Sequence, residues 1–169
     1  MKLAAGSAFP AVTIARLGGG HVAPATGEDW RLLVVYRGRH CPLCKAYLKT
    51  LDAMLEDFAA AGVAVSVASA DPEEKAAADA AEHGWRFPVG FGLTVEQMQS
   101  LGLYVSAPRS PQETDRPFPE PGLFLINPAG EVQIVDVSNA PFARPDLGAI
   151  LRGVKLIQDR AYPIRGTHI

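Results

Sequence analysis

Cysteine is scarce in this sequence: two residues among 169. That excludes a disulfide-stapled scaffold, which spreads several cysteines along its chain. It also argues against a structural zinc site, which needs a second pair of thiol or imidazole ligands. A surplus of one charge is missing too. Sixteen basic and eighteen acidic side chains leave a formal charge of −2, with a pI near 6.1. Basic residues such as Arg37, Arg39, Lys45, Arg152 and Lys155 are scattered among acids. Nothing in that pattern calls for nucleic acid or an anionic membrane surface as a partner. No apolar run reaches the roughly 20 residues a membrane-spanning helix needs. The opening stretch from Met1 to Pro10 is broken by Gly6, Ser7 and Pro10 too early for a secretory signal. Thr167-His168-Ile169 matches no retention or peroxisomal address. The expectation is a cytoplasmic protein with one domain spanning 1–169.

What is present supports a core: 48% of the residues are apolar, enough for a domain of this size without staples. Leu32-Leu33-Val34-Val35-Tyr36 is continuously apolar and reads as a buried central strand. A helix follows from Pro42, with Leu43, Tyr47, Leu51, Met54, Leu55 and Phe58 at helical spacing and Gly62 as its stop. Val63–Ala68 is a second strand. Asp71-Pro72-Glu73-Glu74 reads as a helix start, with Asp71 as cap and Gly84 as the end. Phe87-Pro88-Val89 reads as a short edge strand, because proline cannot donate to a ladder. Thr94–Gln97 is a capping-box pattern before a short helix ending at Gly102. The proline-rich run from Pro108 to Pro121 is an expected mobile excursion. Gly122–Asn127 and Glu131–Ser138 form a hairpin across Pro128-Ala129-Gly130, and a last helix begins near Pro145-Asp146. The predicted architecture is α/β: a central mixed β-sheet flanked by helices on both faces.

Both cysteines lie in Cys41-Pro42-Leu43-Cys44, between the buried strand and the helix. At the N-cap, the Cys41 sulfur can meet the free amides of Leu43 and Cys44, and the helix dipole favours an anion there. A thiolate is the reactive form of cysteine, so the position activates it. Residues three apart on the first turn share a face, which lets the two sulfurs reach disulfide distance. Pro42 removes a competing amide, and Arg37, Arg39, His40 and Lys45 add positive charge nearby. The competing reading is two small buried residues at a helix start. A half metal site is a poorer one: His40, Cys41 and Cys44 fall one ligand short of a tetrahedron. His40 is open between tuning a cysteine and ending a strand. Arg144, just before Pro145, is open between reaching the site and being solvated.

The segment from Tyr36 to Lys45, Tyr-Arg-Gly-Arg-His-Cys-Pro-Leu-Cys-Lys, resembles the active-site segment of the peroxiredoxin-like branch of the alkyl hydroperoxide reductase and thiol-specific antioxidant family. Pro121–Gly130 is similar to its later strand and turn, and Gly6–Pro10 to its start. The resemblance implies a thioredoxin-like fold and a thiol-dependent antioxidant enzyme reducing a peroxide or a disulfide. It implies a thiol reductant such as a thioredoxin or glutathione, no cofactor and no metal, with a homodimer left open. Cys41 and Cys44 would be catalytic, and Pro42, His40, Arg37 and Pro121 supporting. The peroxiredoxin pattern overlays Cys44 on the attacking cysteine, whereas the thioredoxin pattern makes Cys41 the exposed attacker. Arg37 stands where the peroxiredoxin motif has proline, and Pro121 where many members have arginine. Pro121 instead looks like the thioredoxin proline, which predicts a cis Glu120–Pro121 bond facing the cysteine pair. A disulfide reductase that never meets peroxide, and a non-enzymatic redox sensor, are the competing functions.

Overall fold

The computed structural model describes residues 2–168. Its centre is β3 (Trp30–Val35), where the apolar run predicts it, with the last five residues all buried. Beside it lie the parallel strand β4 (Val63–Ala68) and, antiparallel on the other side, β8 (Gly122–Ile126). β8 continues into β9 (Val132–Val137) as the predicted hairpin. Three further strands complete the sheet: β1 (Ile14–Arg16), β2 (His21–Val22) and β5 (Val89–Phe91). The order is β2-β1-β5-β4-β3-β8-β9. β5 is therefore an interior strand, not an edge. Pro88 precedes it, so the missing N–H falls outside the ladder, while the β1–β2 hairpin around Gly18–Gly20 covers its far side.

Alternate β3 residues feed two cores. Leu32 and Val34, with Tyr36 just beyond the strand, face α1 (Pro42–Ala53), α2 (Leu55–Ala60), α3 (Glu73–His83) and α5 (Leu147–Arg160). Leu33 and Val35 face α4 (Val95–Ser100) and the N-terminal segment around Phe9 and Val12. The mixed sheet thus carries helices on both faces. The long predicted helix after Pro42 is broken at Met54, and its buried stripe is Cys44, Leu48 and Leu51. Leu43 points outward and is 49% exposed. Thr94 and Gln97 make the capping box, and Asp146 caps α5. The proline-rich run is tied back by a two-stranded ribbon of β6 (Val105–Ser106) and β7 (Phe118–Pro119). Among the described residues, no helix is long and apolar enough to cross a membrane.

Candidate active site

β3 ends at Val35, and the chain turns through residues 36–41 before α1 begins. The turn depends on Gly38, whose φ is 131°. A Cβ there would sit 2.8 Å from one carboxylate oxygen of Asp71 and 2.9 Å from the other. Only glycine fits both constraints. Asp71 itself is buried and accepts a hydrogen bond from the Arg39 backbone N–H at 2.7 Å. It is therefore not the cap of α3. Pro72 takes that place without a side-chain bond, and Asp71 instead holds the cysteine loop. Burial raises its pKa, against the Arg39 bond that lowers it.

Cys41 is the N-cap of α1 and Pro42 its first residue. The Cys41 sulfur accepts a hydrogen bond from the Cys44 N–H at 3.3 Å. The two sulfurs are 2.6 Å apart, and both thiols are free. Cys41 is 2% exposed and Cys44 fully buried, so the expected exposure of Cys41 is not found. The Cys41 pKa is lowered to about 6, first by the neighbouring Cys44 thiol and then, against burial, by the cap amide, Arg37 and Arg144. The Cys44 pKa moves up, because it is desolvated and sits beside the Cys41 charge. The pair holds one negative charge between two sulfurs.

A cation flanks the pair on each side. Arg37 lies over the Phe118 ring and pairs with the buried carboxylate of Glu120 at 3.1 Å, with Glu113 at 3.9 Å. The Ser106 hydroxyl donates to Glu120 at 2.7 Å. Arg144 approaches from the loop before α5. Its Nη2 donates to the Cys44 sulfur at 2.7 Å and its Nη1 to the Pro141 carbonyl at 2.7 Å. Its guanidinium lies 5.2 Å from the centre of the Tyr47 ring. Among the described residues, no carboxylate lies within ion-pair distance of Arg144, so the sulfur is its acceptor. Arg39 and Lys45 do not serve the cysteines. They converge on the buried Asp79 of α3, at 3.5 and 3.4 Å.

Two clefts open beside the dithiol. A polar one of about 680 Å³ is lined by Arg37, His40, Pro42, Arg109, Ser110, Gln112 and Glu113. The His40 ring stacks edge-on against Phe118 at 4.6 Å, and both its nitrogens are shielded and unpartnered. Burial and then Arg37 lower its pKa, which favours the neutral imidazole. On the other side a groove of about 500 Å³ runs between Leu43, Tyr47, Phe142 and Arg144. Pro121 lines a small crevice with Tyr47 and Arg144, so it does lie by the site. The predicted cis bond is absent, however: no described peptide bond is cis. The β8–β9 pairing runs through Gly122 and the backbone of Pro121 accepts from the Ser138 N–H. That extended path holds the segment without a cis turn. The thioredoxin-like alignment of Pro121 therefore fails. Among the described residues, the one His/Cys/Asp/Glu group close enough to share an ion is Asp79, Glu82 and His83, which excludes both cysteines and is filled by Arg39 and Lys45.

A family model described as the AhpC/TSA family matches residues 5–135. Solved structures with a similar fold include a cysteine-to-serine mutant of the peroxiredoxin 6 of Arenicola marina. It shares 20% identity over 94% of this chain and 75% of that chain, with a TM-score of 0.77. The AhpC of Mycobacterium bovis shares 17% identity over 100% of this chain and 99% of that one, with a TM-score of 0.77. The peroxidoxin BcpB of Mycobacterium tuberculosis shares 16% identity over 92% and 98%, with a TM-score of 0.75. No curated protein matches the chain.

Proposed function

This chain belongs to the AhpC/TSA family, as a peroxiredoxin-like member of the thioredoxin-like superfamily, and from that premise we propose that it is a thiol-dependent peroxidase using Cys41 and Cys44 as its redox pair. The observation that carries the reading is the dithiol itself: two free sulfurs 2.6 Å apart at a helix N-cap. The Cys41 thiolate attacks one oxygen of a hydroperoxide. The O–O bond breaks, Cys41 becomes a sulfenic acid, and the other oxygen leaves as an alkoxide or hydroxide that takes up a proton. The Cys44 thiol then attacks the Cys41 sulfur. An S–S bond forms and the sulfenic oxygen departs as water. Two thiols and one peroxide give one disulfide, one alcohol and one water. A thiol reductant returns two electrons by exchange.

Disulfide reduction without peroxide is the weaker reading, because the trans Glu120–Pro121 bond removes the thioredoxin-like substrate segment. A second assignment of the attacker does have an observation behind it. Arg144 touches Cys44, and a cation there favours a Cys44 thiolate. The lowered Cys41 pKa and its cap amide favour Cys41. Serine substitutions decide between them. After one equivalent of peroxide, intact-protein mass spectrometry should show a loss of two hydrogens in the wild type. Cys44→Ser should accumulate a sulfenic acid on Cys41, and Cys41→Ser should stay unoxidised. If Cys41→Ser is oxidised and Cys44→Ser is inert, Cys44 is the attacker. Two persistent thiols in the wild type would end the pair hypothesis.

A further inference from the structure

A polar cleft opens beside Cys41, with Arg37, His40 and Pro42 in its wall. It is far larger than a hydroperoxide head needs, and about 680 Å³ falls within the range of roughly 300–1,000 Å³ typical of small-molecule sites. Its wall carries both signs. Arg109 donates to Glu113 through its backbone N–H at 2.7 Å and its Nε at 3.1 Å. Both terminal nitrogens of Arg109 are left without a partner among the described residues, and its side chain is 86% exposed. Such a free pair of N–H groups matches a carboxylate two-to-two. Glu113, which also has Arg37 at 3.9 Å, keeps lone pairs for an ammonium beyond those Arg109 uses. Ser110 and Gln112 add neutral donors and acceptors. The cleft wall includes His40 and Pro42, the residues on either side of Cys41.

Resting on the thiol-peroxidase reading, we propose that this cleft binds the enzyme's reductant, a low-molecular-weight thiol carrying both a carboxylate and an ammonium group. Arg109 holds the carboxylate and Glu113 the ammonium, while the thiol lies toward Cys41. The bound thiolate attacks the Cys41 sulfur of the disulfide, and the Cys41–Cys44 bond breaks. Cys44 leaves as a thiolate beside Arg144 and is then protonated. A second thiol attacks the mixed disulfide at its outer sulfur and frees the Cys41 thiolate. Two small thiols are oxidised to one disulfide, and the protein pair is reduced by two electrons. Cys41 is 2% exposed, so contact requires a side-chain displacement at the mouth of the cleft. Anchoring at Arg109 keeps the thiol in place while that happens.

The test follows reduction of the peroxide-oxidised protein by glutathione and by 2-mercaptoethanol, which lacks both charged groups. Rates are read by quenched mass spectrometry and divided by thiolate fraction. The expected result is saturation with glutathione and a glutathione rate at least tenfold above that of mercaptoethanol. Esterifying the glutathione carboxylates should erase most of that advantage. Arg109→Ala should lower the glutathione-to-mercaptoethanol ratio tenfold or more, and Arg109→Lys should restore part of it. Independently of that variant's folding, Cys44→Ser with oxidised glutathione should accumulate a glutathionyl adduct on Cys41. Equal rates for the two thiols, no saturation, or an unchanged ratio in Arg109→Ala would overturn the proposal. So would reduction by a thioredoxin-type protein alone. A protein that forms no disulfide with peroxide at all would instead overturn the peroxidase reading beneath it.

Discussion

The two flanks of the dithiol solve one electrostatic problem in different ways. On the Cys41 side, Arg37 faces the Glu120 carboxylate at 3.1 Å as a charge pair without an aligned hydrogen bond, and lies near Glu113. Part of its charge is spent on structure, and the Cys41 sulfur takes its stabilisation first from the neighbouring thiol and then from the cap amide, with Arg37 and Arg144 adding less. On the Cys44 side, Arg144 has no carboxylate and gives its charge to sulfur. The first flank is polar, anchored by the ribbon of β6 and β7. The second is apolar, with Leu43 49% and Phe142 80% exposed. A cation near a thiol therefore tells little by itself. What matters is whether an acid has already claimed it.

That contrast can be broken, most severely at Glu120. Glu120→Ala strips Arg37 of its buried partner. Breaking such a pair costs about 3 kcal/mol at the low end of the usual range, and Glu113 at 3.9 Å keeps the loss near that end. Thermal unfolding should fall by roughly 6–12 °C for a chain of this length. An unchanged midpoint would mean that Arg37 is not committed to structure.

Arg144→Met should act on rate and leave stability nearly alone. We expect reduction of the protein disulfide to slow at least tenfold, about 1.4 kcal/mol in the barrier, because Cys44 loses the cation that stabilises it as leaving group. Stopped-flow reduction with a fixed thiol, alongside a melting curve, checks both parts. A large loss of stability with no loss of rate would reverse the assignment of the two arginines.

The pH dependence sharpens the picture further. Cys41 ionises near pH 6 in the folded protein, against an ordinary thiol value near 9. Between those values the unfolded chain holds a proton that the folded one has lost, so stability of the reduced protein rises with pH. That gain disappears as pH falls through about 6. Above 9 the sign reverses, because the raised Cys44 pKa keeps its proton on the folded protein while the unfolded chain gives it up. The dithiol's contribution to the stability of the reduced protein should therefore peak near pH 9, and the disulfide form should lack this contribution. Denaturant titrations of both forms across pH 5–10 measure it. Peroxide-driven oxidation should climb through pH 6 and level off above 7.

The smallest effect belongs to the apolar flank. Phe142→Ser removes a ring that is 80% exposed. Stability should change by less than about 0.5 kcal/mol, and oxidation by hydrogen peroxide should be unaltered. A clear loss of peroxide rate would show that the groove, and not only Arg144, serves the small substrate.

The sequence by itself determined the elements whose signal is local. The apolar run made β3, Pro42 after Cys41 made the N-cap, and the i, i+3 spacing brought the sulfurs together. Thr94 and Gln97 made their capping box for the same reason: partners within one helical turn meet whatever the rest of the chain does. The tertiary structure decided what depends on distant segments. Arg144 meets Cys44 across 100 residues, and Asp71 meets Arg39 across 32. A helix-start pattern hid the role of Asp71, because an acid before proline has the same local signature whether it caps a helix or reaches back to a loop. Pro88 hid the interior place of β5, since only the sheet order shows that the missing N–H falls outside the ladder. The near-complete burial of both sulfurs and the trans bond before Pro121 likewise depend on which surfaces the folded chain lays over the helix end. Local hydrogen bonds and periodicity carry no information about that, because close packing is settled only when the whole chain has closed.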